Sequence, residues 1–64
     1  MTYTIGRLHD PRHNDLHRRY IELDDARSDA RELAIRDQRE EIAIWDERGE
    51  VMRIFTDGME FRPA

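Results

Sequence analysis

Three histidines recur at every fourth residue near the start of the chain, at His9, His13 and His17. On an uninterrupted helix, residues at this spacing share one face, and their imidazole nitrogens could bind zinc. The dipeptide Asp10-Pro11 interrupts such a helix, because proline lacks a backbone N–H and disfavours helical geometry in the residue before it. We therefore favour a loop with exposed histidines, and we expect neither a metal nor a cofactor.

Groups that could perform catalysis are otherwise scarce. The sequence has no cysteine, no HExxH zinc motif, no glycine-rich phosphate loop and no nucleophile elbow. A histidine–arginine pair can cleave RNA by acid–base chemistry, but no spacing here places such a pair together. We predict a protein that is not an enzyme, with a small RNase as the outside alternative.

Every basic residue is an arginine, and four arginines fall in one segment, at Arg27, Arg31, Arg36 and Arg39. Guanidinium groups bind carboxylates and phosphates through paired hydrogen bonds, so these side chains could contact an acidic surface or a phosphate backbone. The alternative, which we favour, is a solvated helix face neutralised by acidic residues three or four positions away. Those acidic residues are Asp29, Glu32, Asp37 and Glu40.

A second group mixes aromatic and basic side chains and comprises Trp45, Val51, Arg53, Phe55 and Arg62. Tryptophan and arginine are enriched at binding hot spots. Three interpretations stay open: the group packs on the N-terminal segment or on a second copy, it docks a different protein, or it stacks RNA bases as sheet platforms do.

The length and charge of the chain limit these alternatives. Sixty-four residues predict a single domain, residues 1–64, with a thin core that no disulfide supports. A homodimer would add stability. The formal net charge of -4 weighs against nucleic acid as the primary partner. No apolar run approaches the ~20 residues that span a bilayer, and no signal peptide opens the chain, so we expect a cytoplasmic protein without a membrane partner.

Local patterns predict the elements that carry these groups. Residues Thr2–Leu8 alternate like a strand, whereas Arg19–Leu23 could be a strand edge or an early helix. From Asp24 to about Gln38 we expect a helix with Asp24 as its N-cap. Its apolar stripe comprises Leu23, Ala26, Ala30, Leu33 and Ala34. Ile21 and Ile35 fall on the far side of any such helix, so Ile21 is better explained as a strand residue.

Two glycine turns predict the pairing of the last three strands. Asp57-Gly58 fits a two-residue type I′ turn, and Glu47-Arg48-Gly49 fits a three-residue loop with glycine in the left-handed conformation. The turn pairs Thr56 with Met59 and Ile54 with Phe61. The loop pairs Trp45 with Val51, Ile44 with Met52 and Ile42 with Ile54.

This register predicts two sheet faces, because alternate residues point to opposite sides. The apolar face, which we expect the helix to cover, comprises Ile42, Ile44, Met52, Ile54, Met59 and Phe61. The other comprises Ala43, Trp45, Val51, Arg53, Phe55, Glu60 and Arg62. One helix cannot cover both faces, so we expect the second to be open or covered by something else.

The stretches YIELDDARSDARELA and IAIWDERGEVMRIFTDGMEF together resemble the layout of small phage-encoded anti-CRISPR proteins, in particular a type I-F inhibitor. The common features are an Ile-Glu strand, an Ala-rich basic helix, a hairpin and a terminal Asp-Gly turn followed by an aromatic residue. The resemblance implies a protein that binds a CRISPR surveillance complex along its guide-RNA-bearing backbone subunits and blocks hybridisation with target DNA.

The resemblance also implies a contact through basic helix residues, here Arg31 and Arg36 with Arg27 and Arg39 as neighbours. The acidic residues between these arginines favour contact with protein over contact with DNA.

The sequence thus predicts an α+β domain in which one helix packs on an antiparallel sheet of four to five strands, in the order β-β-α-β-β-β. We predict a binding protein that occupies a surface on a larger protein or ribonucleoprotein, with a dimeric, antitoxin-like module as the alternative. The predicted contact residues are Arg27, Arg31, Arg36, Arg39, Trp45, Arg53, Phe55 and Arg62.

Overall fold

The computed structural model describes residues 2–9, 19–37 and 40–63. Six elements follow one another in these ranges: β1 (Tyr3–Arg7), β2 (Arg19–Tyr20), α1 (Leu23–Arg36), β3 (Ile42–Trp45), β4 (Val51–Thr56) and β5 (Met59–Phe61). The strands form one antiparallel sheet in the order β2-β1-β3-β4-β5, and α1 packs on it. The predicted α+β class and order of elements are confirmed. His13, His17 and Arg39 lie outside the described residues.

Helix α1 begins one residue earlier than the sequence predicts. Its N-cap is Glu22, whose backbone is extended and whose side chain makes no capping hydrogen bond. Asp24 is therefore not the N-cap but a residue of the first turn. There its negative carboxylate interacts favourably with the positive end of the helix dipole. Ile21 lies in a bend between β2 and α1, not in a strand, so only Arg19 and Tyr20 of the ambiguous segment pair with β1.

The predicted apolar stripe of α1 is confirmed. Ala26, Ala30 and Ala34 are fully buried, and Leu23 and Leu33 pack against the same core. Methyl side chains bring the helix close to the sheet, where it meets Ile5, Ile42, Ile44 and Phe55, the largest fully buried side chains. Ile35 is 52% exposed, as expected for a residue outside this stripe, and its side chain lies beside Gly58 of the turn between β4 and β5.

Both predicted glycine turns are present. Gly49 has φ +82°, and the turn between β4 and β5 has φ 51° at Asp57 and 81° at Gly58, the conformation of a type I′ turn. The pairings of Thr56 with Met59, Ile54 with Phe61 and Trp45 with Val51 are confirmed.

The rest of the β3–β4 register differs by one residue from the prediction. Ile44 pairs with Arg53 and Ile42 pairs with Phe55, because the register shifts between Ile44 and Trp45. Such a bulge places two residues of one strand opposite one residue of its neighbour. Met52 is the additional residue, and it packs against the core.

The shift reverses the sides of β5 and of β4 from Arg53 onward, since a change of one residue turns each following side chain to the other face. Arg53, Phe55 and Glu60 lie under α1, and Ile54, Met59 and Phe61 lie on the opposite face, contrary to the predicted faces in each case. Ile42 and Ile44 keep their predicted side. The helix-covered face therefore includes Ile5, Ile42, Ile44, Arg53, Phe55 and Glu60, and the second face includes Thr4, Gly6, Ala43, Trp45, Val51, Ile54, Met59 and Phe61.

Candidate functional site

The Glu60 carboxylate gathers three arginines from two elements, and we call these four residues the Glu60 cluster. Arg27 of α1 donates from Nε and Nη2 to the two Glu60 oxygens, each at 2.8 Å. Arg31, one turn further along α1, donates from Nη2 to Oε1 at 3.2 Å. Arg53 of β4 donates from Nε to Oε2 at 3.2 Å. Side-chain hydrogen bonds in this cluster thus connect β5 to α1.

The cluster shifts the titration of its central carboxyl. The hydrogen bonds from Arg27 lower the pKa of Glu60 below its ordinary 4.5, and the charges of Arg27, Arg31 and Arg53 add to this against an opposing effect of partial burial. The same hydrogen bonds, together with one that Arg27 donates to Asp24, raise the pKa of Arg27. Glu60 is therefore ionised at neutral pH and accepts in all four hydrogen bonds.

Positive charge exceeds negative charge in the Glu60 cluster. Three guanidinium groups surround one carboxylate, and Asp24 offsets a further charge through its 3.0 Å hydrogen bond from Arg27. Arg31 lies with its guanidinium carbon 5.7 Å from the centre of the Phe55 ring, a cation–π contact. Its side chain is 48% exposed, so part of this positive charge faces solvent.

The helix arginines do not act as one basic face. Arg36 pairs with Glu32 at 2.7 Å, one helical turn away, while Arg27 and Arg31 reach across to the sheet. Asp29 accepts instead from the Tyr20 hydroxyl at 2.7 Å. The arrangement fits the favoured interpretation, in which acidic residues neutralise the helix arginines. For Arg27 and Arg31 the acidic partner is Glu60 of β5, which the spacing of residues along the helix does not reveal.

The second face is covered by no helix or strand among the described residues. One row of paired residues crosses it from Gly6 through Ala43 and Ile54 to Phe61. Gly6 and Ala43 are buried, Ile54 is half-buried and Phe61 is 45% exposed. Met59, on the same face of β5, is 61% exposed. Exposed apolar area is therefore concentrated at the β5 side of the sheet.

Trp45 lies at the other end of the second face. It pairs with Thr4 and Val51, stays outside the core cluster and is half-buried. The side predicted for Trp45 and Val51 is confirmed. A shallow depression beside the indole is lined by Thr2, Thr4, Arg19, Trp45, Asp46, Glu47 and Gly49. Its polar lining distinguishes it from the apolar area around β5.

His9, shortly after the end of β1, faces an acidic neighbour. His9 Nε2 lies 2.9 Å from Glu41 Oε1 on an exposed part of the surface. Within residues 2–9, 19–37 and 40–63, no three histidine, cysteine or acidic side chains come together as metal ligands. The helix of this part of the chain is not long and apolar enough to cross a membrane.

The structure separates the predicted contact residues into different environments. Arg27, Arg31 and Arg53 meet at Glu60, Phe55 is buried beneath Arg31, Arg36 pairs with Glu32, and Trp45 lies on the second face. Arg62 is exposed beyond the end of β5.

Glu60, Met59 and Phe61 are residues of interest that the sequence placed on the wrong faces. Their faces are set by the bulge at Met52, for which the alternating sequence pattern carries no signal.

No protein-family model, curated protein or solved structure matches this chain.

Proposed function

We propose that this chain is a non-enzymatic binding protein that occupies a surface on a larger protein partner through its second face. The observation that carries the proposal is the exposure of Phe61 and Met59, at 45% and 61%, beside the half-buried Ile54. Contiguous exposed apolar residues on small proteins are typical of interaction sites. A protein that works in this way needs no catalytic group.

The character of the second face supports a protein partner. Its apolar row is flanked by Trp45, a residue type that contributes strongly to binding energy. The arginines that could contact phosphates are engaged within the chain, Arg27 and Arg53 with Glu60 and Arg36 with Glu32. With a net charge of -4, long-range electrostatics also disfavour nucleic acid. We therefore propose protein contacts, in the cytoplasm, as the mode of action.

The proposed surface is tested by photo-crosslinking in cells that express the chain. A photoreactive side chain in place of Phe61 should crosslink to one discrete protein other than a second copy of this chain, because position 61 lies in the exposed apolar area with Met59 and Ile54. The same group in place of Ile21, which is 77% exposed in the bend before α1, serves as the matched control and should give no such product. Crosslinks to nucleic acid alone or to a second copy alone, or equal products at both positions, would overturn the proposal.

The most specific form of the proposal is an inhibitor of a CRISPR surveillance complex, encoded by a phage and acting in the host cytoplasm. Purified chain should then bind a type I-F surveillance complex and prevent its association with target DNA. Replacing Phe61 and Met59 by serine should weaken that binding at least about tenfold, equivalent to ~1.4 kcal/mol.

The Ile21→Ser variant is again the control and should bind as the unaltered chain does. If the unaltered chain neither binds the complex nor affects its association with DNA, the inhibitor form of the proposal is rejected. The crosslinking result would still decide the broader proposal.

A further inference from the structure

Strand β5 lies at one end of the sheet and pairs with β4 alone among the described strands. The two-residue turn at Asp57-Gly58 makes Thr56 and Met59 the hydrogen-bonded pair that closes the hairpin. Hydrogen-bonding directions alternate along a strand, so the N–H and C=O of Glu60 point away from β4. The middle residue of β5 thus presents one donor and one acceptor at the open edge of the sheet.

We infer that β5 pairs in antiparallel fashion with β5 of a second copy of this chain, about a two-fold axis at Glu60. In this register the Glu60 residues of the two copies exchange their outward hydrogen bonds. Met59 of each copy then lies opposite Phe61 of the other. A two-fold arrangement uses the same residues from both copies and closes on itself, so it yields a dimer and not a fibre.

The apolar side chains of β5 fit this register. Met59 and Phe61 both point to the second face and are 61% and 45% exposed in the single chain. Side chains directly opposite each other in an antiparallel pair have their Cβ atoms only about 5 Å apart. The dimer therefore contains two Met59–Phe61 contacts between copies, which remove apolar surface from water.

The charges near β5 select a second copy over an arbitrary strand. Like charges directly opposite each other destabilise a strand pair, and this register brings two Glu60 carboxylates together. Each carboxylate comes with three arginines, and Arg31 holds its own Glu60 by a single hydrogen bond at 3.2 Å. The half-exposed Arg31 can therefore also donate to the Glu60 of the second copy. Six guanidinium groups around two carboxylates remove the repulsion.

A second charge complement lies at the ends of the paired strands. The register places Arg62 opposite Gly58 of the second copy and next to its Asp57. Both Arg62 and Asp57 are exposed, and neither forms an ion pair with any residue that the structure describes. Pro63, which has no backbone N–H, then ends the ladder. A partner strand that fits this register has an apolar, an acidic, an apolar and a basic residue in succession. Residues 59–62 of the chain itself, Met-Glu-Phe-Arg, have this order.

This dimer goes beyond the proposed contact with a larger partner, although both use Met59 and Phe61, and it would join the second faces of two sheets into one continuous surface. Sedimentation analysis from micromolar to millimolar concentration is the direct test. The unaltered chain should pass from monomer to dimer across this range. A chain that stays monomeric at millimolar concentration would overturn the inference.

Two modified chains locate the interface. The 64-residue chain is short enough for chemical synthesis with an N-methyl group on the Glu60 amide, which blocks the outward donor and keeps the carboxylate. This chain should dimerise at least about tenfold more weakly, because the ladder loses its central hydrogen bonds. Arg62→Glu adds repulsion with Asp57 of the second copy and should also weaken the dimer. Because Arg62 is exposed, this variant keeps the inference testable if the N-methylated chain does not fold.

Isotope-filtered NMR on a mixture of labelled and unlabelled chains supplies an independent readout. Contacts between Met59 of one copy and Phe61 of the other are expected in the dimer. A dimer that forms without these contacts, or one that neither modification weakens, would place the interface elsewhere and overturn the inference.

Discussion

At the scale of single residues, the Glu60 carboxylate determines which arginines remain available to a partner. Arg27 directs Nε and Nη2 to Glu60 and Nη1 to Asp24, while Arg53 directs Nε to Glu60 and Nη1 to the Met52 carbonyl. Arg31 makes one hydrogen bond to Glu60 and stacks over Phe55. Arg31 is thus the member of the Glu60 cluster with the most capacity for a further contact.

The Glu60 cluster should contribute measurably to stability. Glu60→Gln keeps the shape of the side chain but removes its charge and one acceptor, and we expect a loss of about 2 kcal/mol in the free energy of unfolding. Glu32→Gln is the matched control, since its pair with Arg36 is exposed on both sides and should cost less than about 0.5 kcal/mol. Urea denaturation at pH 7 measures both, and equal effects would contradict a special role for Glu60.

The stability that Glu60 supplies should depend on pH. Its pKa in the folded chain lies below the ordinary 4.5, so the folded state favours the ionised carboxylate. The contribution is complete above pH 4.5 and disappears as the pH falls through the lowered pKa. The difference in unfolding free energy between the unaltered chain and Glu60→Gln should therefore shrink on acidification below that value. A difference that grows on acidification would show that the pKa is raised.

At the scale of secondary-structure elements, the sequence predicted the turns and the helix but not the bulge. Apolar periodicity reveals the buried stripe of α1, and Asp57-Gly58 reveals a type I′ turn, because both depend on local geometry. The bulge at Met52 depends on how β4 meets β3 and α1, so the simple alternating pattern predicts the wrong side for Phe55. The three arginines at Glu60 could not be predicted either, since they meet only after that register is fixed.

The two turn glycines provide a test at this scale. Gly49 and Gly58 have nearly equal positive φ values, 82° and 81°, but a Cβ at Gly49 would meet nothing within 4 Å, whereas one at Gly58 would lie 2.9 Å from Ile35 Cγ1. Gly49→Ala should therefore cost about 1 kcal/mol from backbone strain alone. Gly58→Ala should cost more, and the additional cost should fall when Ile35 is also changed to alanine.

Urea unfolding of the unaltered chain, Gly58→Ala, Ile35→Ala and the double variant forms a double-mutant cycle for this contact. Equal costs at the two glycines, with no coupling to Ile35, would mean that α1 does not pack over the β4–β5 turn.

At the scale of the whole molecule, one helix on a five-stranded sheet can cover only one face. Among the described residues the thin core cluster consists of three alanines and five large side chains, Tyr20 among them, while Ile54, Met59 and Phe61 lie on the second face. A small chain of this kind gains stability by burying such residues against another protein or another copy. The proposed partner surface and the proposed dimer both follow from this distribution.

The most direct measurement of the central claim compares Phe55 with Phe61. Phe55 lies beneath α1 with no exposed surface, and Phe61 lies on the second face and is 45% exposed. Phe55→Leu should lower the free energy of unfolding by roughly 1 kcal/mol or more, and Phe61→Leu should change it by less than about 0.5 kcal/mol at micromolar concentration. Urea denaturation followed by the fluorescence of the single tryptophan measures both changes. A larger loss at Phe61 than at Phe55 would mean that β4 and β5 present their opposite sides to the helix, and the proposed contact surface would be lost.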